Sequence, residues 1–289
     1  MKRPETLILH LKKSLSFTTM LLVLAISGIT GASAQVSIAP TQLFIHEKQG
    51  VGEIFLTNTS DTAQEITFDF QFGYPVSTEE GAISMVYDDS LTKERYGLEG
   101  RVRLFPSRVI IPPNWSQTIR VQVLPMNDRP DGVYWSRLLV ASSAITPDAD
   151  AQNSEGITTD INYVLEQNIP LFYRHGENST GVRVTDIRTS VDESSNQIVV
   201  IPKLERTGNS PYLGTMHAKL FDATGELIEK KEVPAYFYFE DWRRLTFKKP
   251  EISEGSFRLD LEFQTRRRSI SSGDIVKADD QVHTVQIFP

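Results

Sequence analysis

The sequence contains no cysteine. That excludes disulfide staples, thiol nucleophiles and cysteine-built metal or redox centres, so the fold must stand on buried apolar area alone. Positive charge is short as well. Thirty Lys and Arg face 37 Asp and Glu, a formal net charge of −7 over 289 residues. A nucleic-acid binder normally presents a basic face, and this balance argues against one. Histidine is sparse. Beyond residue 34 the chain has His46, His175, His217 and His283, and no two stand at metal-ligand spacing. Nothing matches a nucleophile elbow, a Gly-rich phosphate loop or an HExxH helix. No cofactor and no metal is therefore expected, and the chain reads as a non-enzyme. A long helical apolar period is missing too. Past the N-terminal segment, no apolar run reaches the roughly 20 residues of a membrane span.

That N-terminal segment has an order of its own. Lys2, Arg3, Lys12 and Lys13 make a basic start, "MLLVLAI" (Met20 to Ile26) an apolar core, and "ASA" (Ala32 to Ala34) a small-residue end. This is the pattern of a secretory signal peptide, residues 1–34, cleaved before Gln35. An uncleaved anchor is the other reading, but the apolar core is short for a span. No Cys at the junction invites lipid attachment. Losing these residues, with four basic side chains and one acidic, takes the formal charge from −7 to −10. The expectation is an exported chain with no stable membrane insertion after cleavage.

Beyond residue 34 the chain is strand-like almost throughout. "GEIFLTNTS" is closed by turn formers, "QEITFDFQF" puts Ile66, Phe68, Phe70 and Phe72 on one side, and "QTIRVQVLP" groups Ile119, Val121 and Val123. Short runs of this kind, bounded by Gly, Pro, Asn and Asp, predict an all-β sandwich or barrel. One turn of helix is expected in "SLTKERYGLEG" (Ser90 to Gly100). The polar, Gly-containing "RHGENSTG" (Arg174 to Gly181) is the best candidate for a domain boundary. It divides the mature chain into residues 35–176 and 177–289. The second part has strands in "QIVVIPKLER", "GTMHAKLFDATGELIEKKEV", "YFYFEDWRRLTF", "GSFRLDLEFQT" and "DQVHTVQIF", with "DATGE" as a turn. "TPDADAQNSEG" (Thr146 to Gly156) reads as a polar loop.

Several charged or aromatic runs have bland readings. "DRPDG" (Asp128 to Gly132) is a turn rather than a calcium site, which needs more oxygen ligands. "RRR" (Arg266 to Arg268) and "DWRRL" (Asp241 to Leu245) read as solvated hairpin ends. "YFYF" (Tyr236 to Phe239) reads as a buried strand.

The most informative stretch is "DINYVLEQNIPLFYR", Asp160 to Arg174. Ile161, Tyr163, Leu165, Gln167 and Ile169 share one face; Asn162, Val164, Glu166 and Asn168 share the other. The pattern alone leaves two readings open. The apolar face caps this protein's own core, or it meets another chain.

Residues 35–176 resemble the PapD-like periplasmic chaperones of pilus assembly. The resemblance rests on "APTQLFI", "IFLTNTS", "RLFPSRVIIPPNWSQTIRV", "DGVYWSRLLV" and "IPLFYRHG", which occur in the family's order. It implies two immunoglobulin-like antiparallel β-sandwich domains set at an angle. It also implies a non-enzymatic chaperone in the periplasm, whose partners are pilin-like subunits and an outer-membrane usher. Such chaperones complete a subunit by β-strand addition, and the resemblance makes Ile161, Tyr163 and Leu165 the donated residues. In typical members an Arg after a Thr in the first strand, and a Lys before the "LFYR" stretch, hold the subunit's terminal carboxylate. Here Gln42 and Pro170 stand in those places. Arg120 and Arg174 are the candidate substitute cations. Pro170 has no N–H, so it is expected either to interrupt the ladder or to mark an edge, and an added strand should end after Ile169. The alternative class is an immunoglobulin-like envelope or surface binding module without chaperone activity. A secreted carbohydrate-active enzyme is the weaker alternative.

Overall fold

The structure is a computed structural model that describes residues 36–145, 163–249 and 256–288. The proposed leader, Ile161 and the Thr146 to Gly156 loop lie outside the described residues. The chain is almost entirely β. The strands up to residue 175 are β1 (Val36–Ala39), β2 (Leu43–His46), β3 (Val51–Asn58), β4 (Gln64–Gln71), β5 (Tyr74–Ser77), β6 (Ile83–Val86), β7 (Val102–Phe105), β8 (Arg108–Ile111), β9 (Ser116–Val123), β10 (Gly132–Ala144) and β11 (Val164–His175). After them come β12 (Thr180–Asp192), β13 (Gln197–Gly208), β14 (Tyr212–Phe221), β15 (Leu227–Phe237), β16 (Glu240–Trp242), β17 (Leu245–Lys248), β18 (Phe257–Gln264) and β19 (Gln281–Ile287).

Two sheets face each other in the first sandwich, ordered β1-β3-β9-β7 and β2-β11-β10-β4-β8. In the second, β12-β13-β16, with β17 also on β13, faces β15-β14-β18-β19. The strand pairs are antiparallel except β2 with β11. Period-two patterning explains the cores. In β18, Phe257, Leu259, Leu261 and Phe263 are buried in the second core while Arg258, Asp260, Glu262 and Gln264 alternate with them on the other face. In β9, Ile119, Val121 and Val123 enter the first core as expected. Ile66, Phe68 and Phe70 of β4 do the same, but Phe72 does not. The strand stops at Gln71, and Phe72 turns into a third cluster between the two sandwiches.

That cluster is mainly aromatic. From the first sandwich it takes Phe72, Tyr74, Val133, Trp135 and Phe172, and from the second Leu213, Tyr238, Ile270, Ile275 and Val276. Trp135 is at its centre. It stacks on Tyr96 at 4.8 Å and meets Tyr238 edge-on at 4.7 Å, with Phe72 at 5.9 Å. These offset and edge-on geometries are the favoured ones for ring pairs. Strand β10 is thus buried on both faces: Tyr134, Leu138 and Val140 point to the first core, Val133 and Trp135 to the cluster. "YFYF" is the expected buried strand only in part: β15 ends at Phe237, which enters the second core, Tyr238 enters the cluster, and Tyr236 and Phe239 are half-buried against it.

A hairpin, β5–β6, and one helix, α1 (Ser90–Tyr96), are inserted between β4 and β7. The helix has seven residues, longer than the single turn expected. Asp89 caps it, accepting from Thr92 N (3.0 Å), Thr92 Oγ1 (2.6 Å) and the Tyr74 hydroxyl (2.6 Å). The hairpin reaches the second sandwich, where Trp242 N donates to Ser77 Oγ at 2.5 Å and Arg188 pairs with Glu79 at 2.7 Å. Gly81, at φ +84°, lets the hairpin come in close, since a Cβ there would sit 2.6 Å from Arg244 N.

The polar stretch after β11 is fastened on all sides. Glu47 Oε2 accepts Gly176 N, and Asp131 Oδ2 accepts Glu177 N, both at 2.9 Å. Asn209 Oδ1 takes Ser179 N at 2.9 Å, and its amide donates back to the Asp131 and Glu177 carbonyls. The carboxylates of "DRPDG" are therefore turn and linker partners, with Asp128 held by Arg101 at 2.5 Å.

Two outcomes are expected. Trp135→Ala removes the centre of the aromatic cluster and should cost about 3–5 kcal/mol in chemical denaturation. The Asp89 carboxyl is held down to about 2 by its bonds from Thr92 first and Tyr74 second. A depressed carboxylate stabilises above its ordinary value near 3.8 and loses that as pH falls toward 2. Asp89→Asn should flatten the dependence of the urea midpoint on pH between about 2 and 4, and an unchanged slope would count against the cap.

Candidate functional site

Strand β11 is paired on both sides for only part of its length. Its ladder with β10 runs unbroken from Val164 opposite Ser143 to His175 opposite Gly132. On the other side β2 covers only Leu171 to Arg174. From Val164 to Pro170 that second edge is open.

Two bonds set which backbone groups face the opening. Glu47 N donates to the Arg174 carbonyl at 3.0 Å, so Arg174 faces the β2 side. Ser142 Oγ donates to the Leu165 carbonyl at 3.4 Å, so Leu165 faces β10. Backbone groups alternate in direction along a strand. Val164, Glu166, Asn168 and Pro170 therefore turn their backbone outward, and Leu165, Gln167 and Ile169 turn theirs to β10. This corrects the expectation that Pro170 interrupts the ladder. Its missing N–H falls on the open side, where no β10 partner needs it, so pairing continues past it opposite Arg137.

The side chains follow the same parity. Ile169, Leu171 and Tyr173 are buried in the first core. Leu165 shares their face but lies past that core, and it is 41% exposed. Tyr163, just before the strand, is 75% exposed, and Val164 is 66% exposed. Gln167 closes the end of the sandwich, donating to the Val36 carbonyl at 2.9 Å. Of the donated residues that the resemblance implies, Tyr163 and Leu165 lie at this edge, and Ile161 lies outside the described residues.

Gln42 directly precedes β2, whose first residue Leu43 is opposite Leu171. It thus sits beside Pro170, at the start of the parallel pair, where Phe44 stacks on Phe172 at 4.9 Å. The structure does not bring the two candidate cations to this corner. Arg120 belongs to β9, in the opposite sheet, where it pairs with Glu53 at 3.2 Å on the outer face. Arg174 is directed to the second sandwich. It donates to the Gly273 carbonyl at 3.1 Å and to Asn178 Oδ1 at 3.2 Å, beside the His46–Asp274 contact at 3.2 Å.

A cation that sequence reading missed does stand there. Arg137 of β10 is directly opposite Pro170 and shares the face of Trp135. Its Nη1 donates to Asn168 Oδ1 at 3.2 Å, its Nη2 lies 3.6 Å from Met85 Sδ, and its Nε is shielded without a partner. Among the described residues no carboxylate pairs with it. The signal was present in "GVYWSRLLVAS": a lone cation in a run otherwise apolar enough for a strand buried on both faces.

No family model and no curated protein matches the chain. Among solved structures, it is similar to the YadV chaperone, with 12% identity, 86% of this chain and 100% of that chain covered, and a TM-score of 0.43. It is similar to a chain of the Salmonella enterica SafA pilin complex with the SafB chaperone, with 12% identity, coverage of 89% and 99%, and a TM-score of 0.38. It is also similar to a chain of the CsuC–CsuE chaperone–tip adhesion subunit complex from the archaic chaperone-usher Csu pili of Acinetobacter baumannii, with 12% identity, coverage of 87% and 98%, and a TM-score of 0.39. At these identities the likeness is one of fold.

The parity of β11 has a direct consequence. The amides of Val164, Glu166 and Asn168 should exchange hydrogen much faster than those of Leu165, Gln167 and Ile169. Uniform protection along the strand would show that the edge is covered.

Proposed function

We propose that this chain is a periplasmic chaperone of the PapD-like kind, which holds pilin-like subunits by lending them the open half of β11 and passes them to an outer-membrane usher. The observation that carries this reading is the edge from Val164 to Pro170, unpaired, apolar at its start and braced by β10 along its whole length. Natural sheets usually blunt such edges, because they template pairing with other chains. The ordered series of motifs in residues 35–176 supports the same reading. In this division of labour, residues 35–176 present the strand and residues 177–289 brace it through the aromatic cluster. Residues 1–34 serve export.

A subunit strand laid along the edge bonds to the outward backbone of Val164, Glu166 and Asn168. Tyr163 and Leu165 then enter the subunit's apolar groove, each contributing about 1.5–3 kcal/mol when fully buried. The subunit's terminal carboxylate pairs with Arg137, which takes over from the adjacent strand what Gln42 and Pro170 cannot supply.

Proline separates this role from a structural one. Asn168→Pro removes an outward N–H and leaves the β10 ladder whole, as Pro170 already does. It should abolish co-purification of a pilin-like subunit co-expressed with the chain, with the thermal midpoint nearly unchanged. Tyr163→Ser with Leu165→Ser should do likewise, and Arg137→Gln should weaken capture. If Asn168→Pro and the serine variant still capture the subunit at wild-type level, the donated-strand reading is wrong. If the serine variant instead loses several kcal/mol of folding stability, as core truncation does, these residues belong to the protein's own core.

A further inference from the structure

A second concave feature lies on the second sandwich, away from the open half of β11. The loop from Arg266 to Lys277 folds back over the outer face of β14, β15 and β18 and borders an open basin of about 540 Å³. That is within the range of small-ligand sites, roughly 300–1,000 Å³. Its wall is strongly basic. Arg266, Arg267, Arg268 and Lys277 line it together with His217, against a single carboxylate, Glu232. Four permanent cations on one cavity are notable in a chain whose formal charge is −7.

The backbone that carries these cations is fixed. Thr265 Oγ1 accepts Ala278 N at 3.1 Å and bonds the Ala278 carbonyl at 3.2 Å, closing the loop at its base. Thr215 Oγ1 donates to the Arg266 carbonyl at 2.7 Å. Ile270 and Ile275 are buried in the aromatic cluster between the sandwiches and pin the loop's middle. The cations themselves are largely unspent. Arg268 makes no ion pair or side-chain hydrogen bond among the described residues. Arg267 lies over the Tyr236 ring at 5.1 Å, an interaction that leaves its N–H donors free. His217 Nδ1 is shielded from solvent without a partner. Among the guanidinium groups only Arg266 has an acidic neighbour, Asp280 at 3.8 Å, and it also donates to Gln264 Oε1 at 2.8 Å; Lys277 Nζ donates to the Thr265 carbonyl at 3.4 Å, and Glu232 and Glu262 flank His217 in register.

We propose that this basin is a binding site for a phosphate-bearing ligand, with Arg267 and Arg268 as its principal contacts and Lys277 and His217 completing the shell. Guanidinium forks match phosphate oxygens in pairs. A multiply charged group suits four cations and one carboxylate better than a lone carboxylate does. The same chemistry is offered by a soluble phosphate compound and by an anionic phospholipid headgroup. The site is independent of whether β11 captures a subunit.

The test uses the mature chain with pyrophosphate in calorimetry and with phosphatidylglycerol–phosphatidylcholine vesicles in co-sedimentation. Wild type should bind at least one of the two. Arg267→Ala with Arg268→Ala should weaken that binding by about tenfold or more, while removal of Arg103 and Arg108, exposed cations of the first sandwich, should not. Binding of pyrophosphate assigns a soluble ligand, and binding of vesicles alone assigns a headgroup. Arg268→Ala by itself, at an exposed side chain without partners, keeps the test valid should the double variant misfold. Absence of binding to both probes overturns the proposal. So does equal weakening by the Arg103 and Arg108 control, which would reduce the effect to general charge.

Discussion

The placement of Trp135 between two sandwiches is the constraint on which the rest depends. Joined domains usually meet through small, fairly polar surfaces and move relative to one another. Here the junction is a ring cluster packed like a domain core, and Trp135 touches rings from the first sandwich, the inserted helix and the second sandwich. The inserted hairpin adds Ser77 and Glu79 as polar ties, and Asp131 and Asn209 fasten the linker. Four separate segments must let go before the units can swing. Because β10 carries Trp135, the strand beside it is held in a fixed direction as well. An edge already held straight loses little entropy when a partner strand pairs with it, and such preorganisation is a large part of binding strength.

The two-faced burial of β10 also explains why β11 divides in half. From Ile169 onward, one face of β11 serves the first core and the other serves the cluster, with Phe172 and Tyr173 on opposite sides. Before Ile169 neither core reaches it. Leu165 has the parity of a core residue and a position past the core's end, so its apolar side chain has no internal partner to bury it. An edge of this kind invites self-association. Glu166 sets a charge in the middle of the open stretch, and Pro170 removes one donor from its end. Both blunt the edge without closing it.

Much of this was legible in the sequence. Period-two alternation identified the strands, and Ile119, Val121 and Val123 lie where the pattern put them. The departures occur where one strand serves two cores. Phe72 has the parity of β4 but not its destination, because the chain leaves the sheet one residue earlier. The hairpin of β5 and β6 was not visible, since "YPVS" and "ISMV" are short, half-exposed and bury little of their own. The role of Asp131 was hidden in a turn, because its partner Glu177 is 46 residues away. The positions of the candidate cations were hidden for a similar reason. Arg120 lies in the opposite sheet, Arg174 shares the face of Pro170 but sits four residues along and is held by the Gly273 carbonyl, and only cross-strand register reveals that Arg137 lies opposite Pro170.

That register also decides where a positive charge can sit at this corner. A residue at position 170 has its backbone on the open edge and its side chain on the cleft face. Proline there costs the β10 ladder nothing, but it gives up any side-chain charge. The directly opposite residue in an antiparallel pair shares that face at a Cβ separation of roughly 4.5–5.5 Å. An arginine there spans such a distance easily, so the charge can sit one strand further in and still project to the corner. This position has an electrostatic consequence. Arg137 is shielded by Met85 and Asn168, and its Nε finds no acceptor. A shielded N–H without an acceptor is costly to the isolated fold. An anion paired with the half-buried Arg137 would be held more strongly than one at the exposed Arg120, whose partner Glu53 already satisfies it in water.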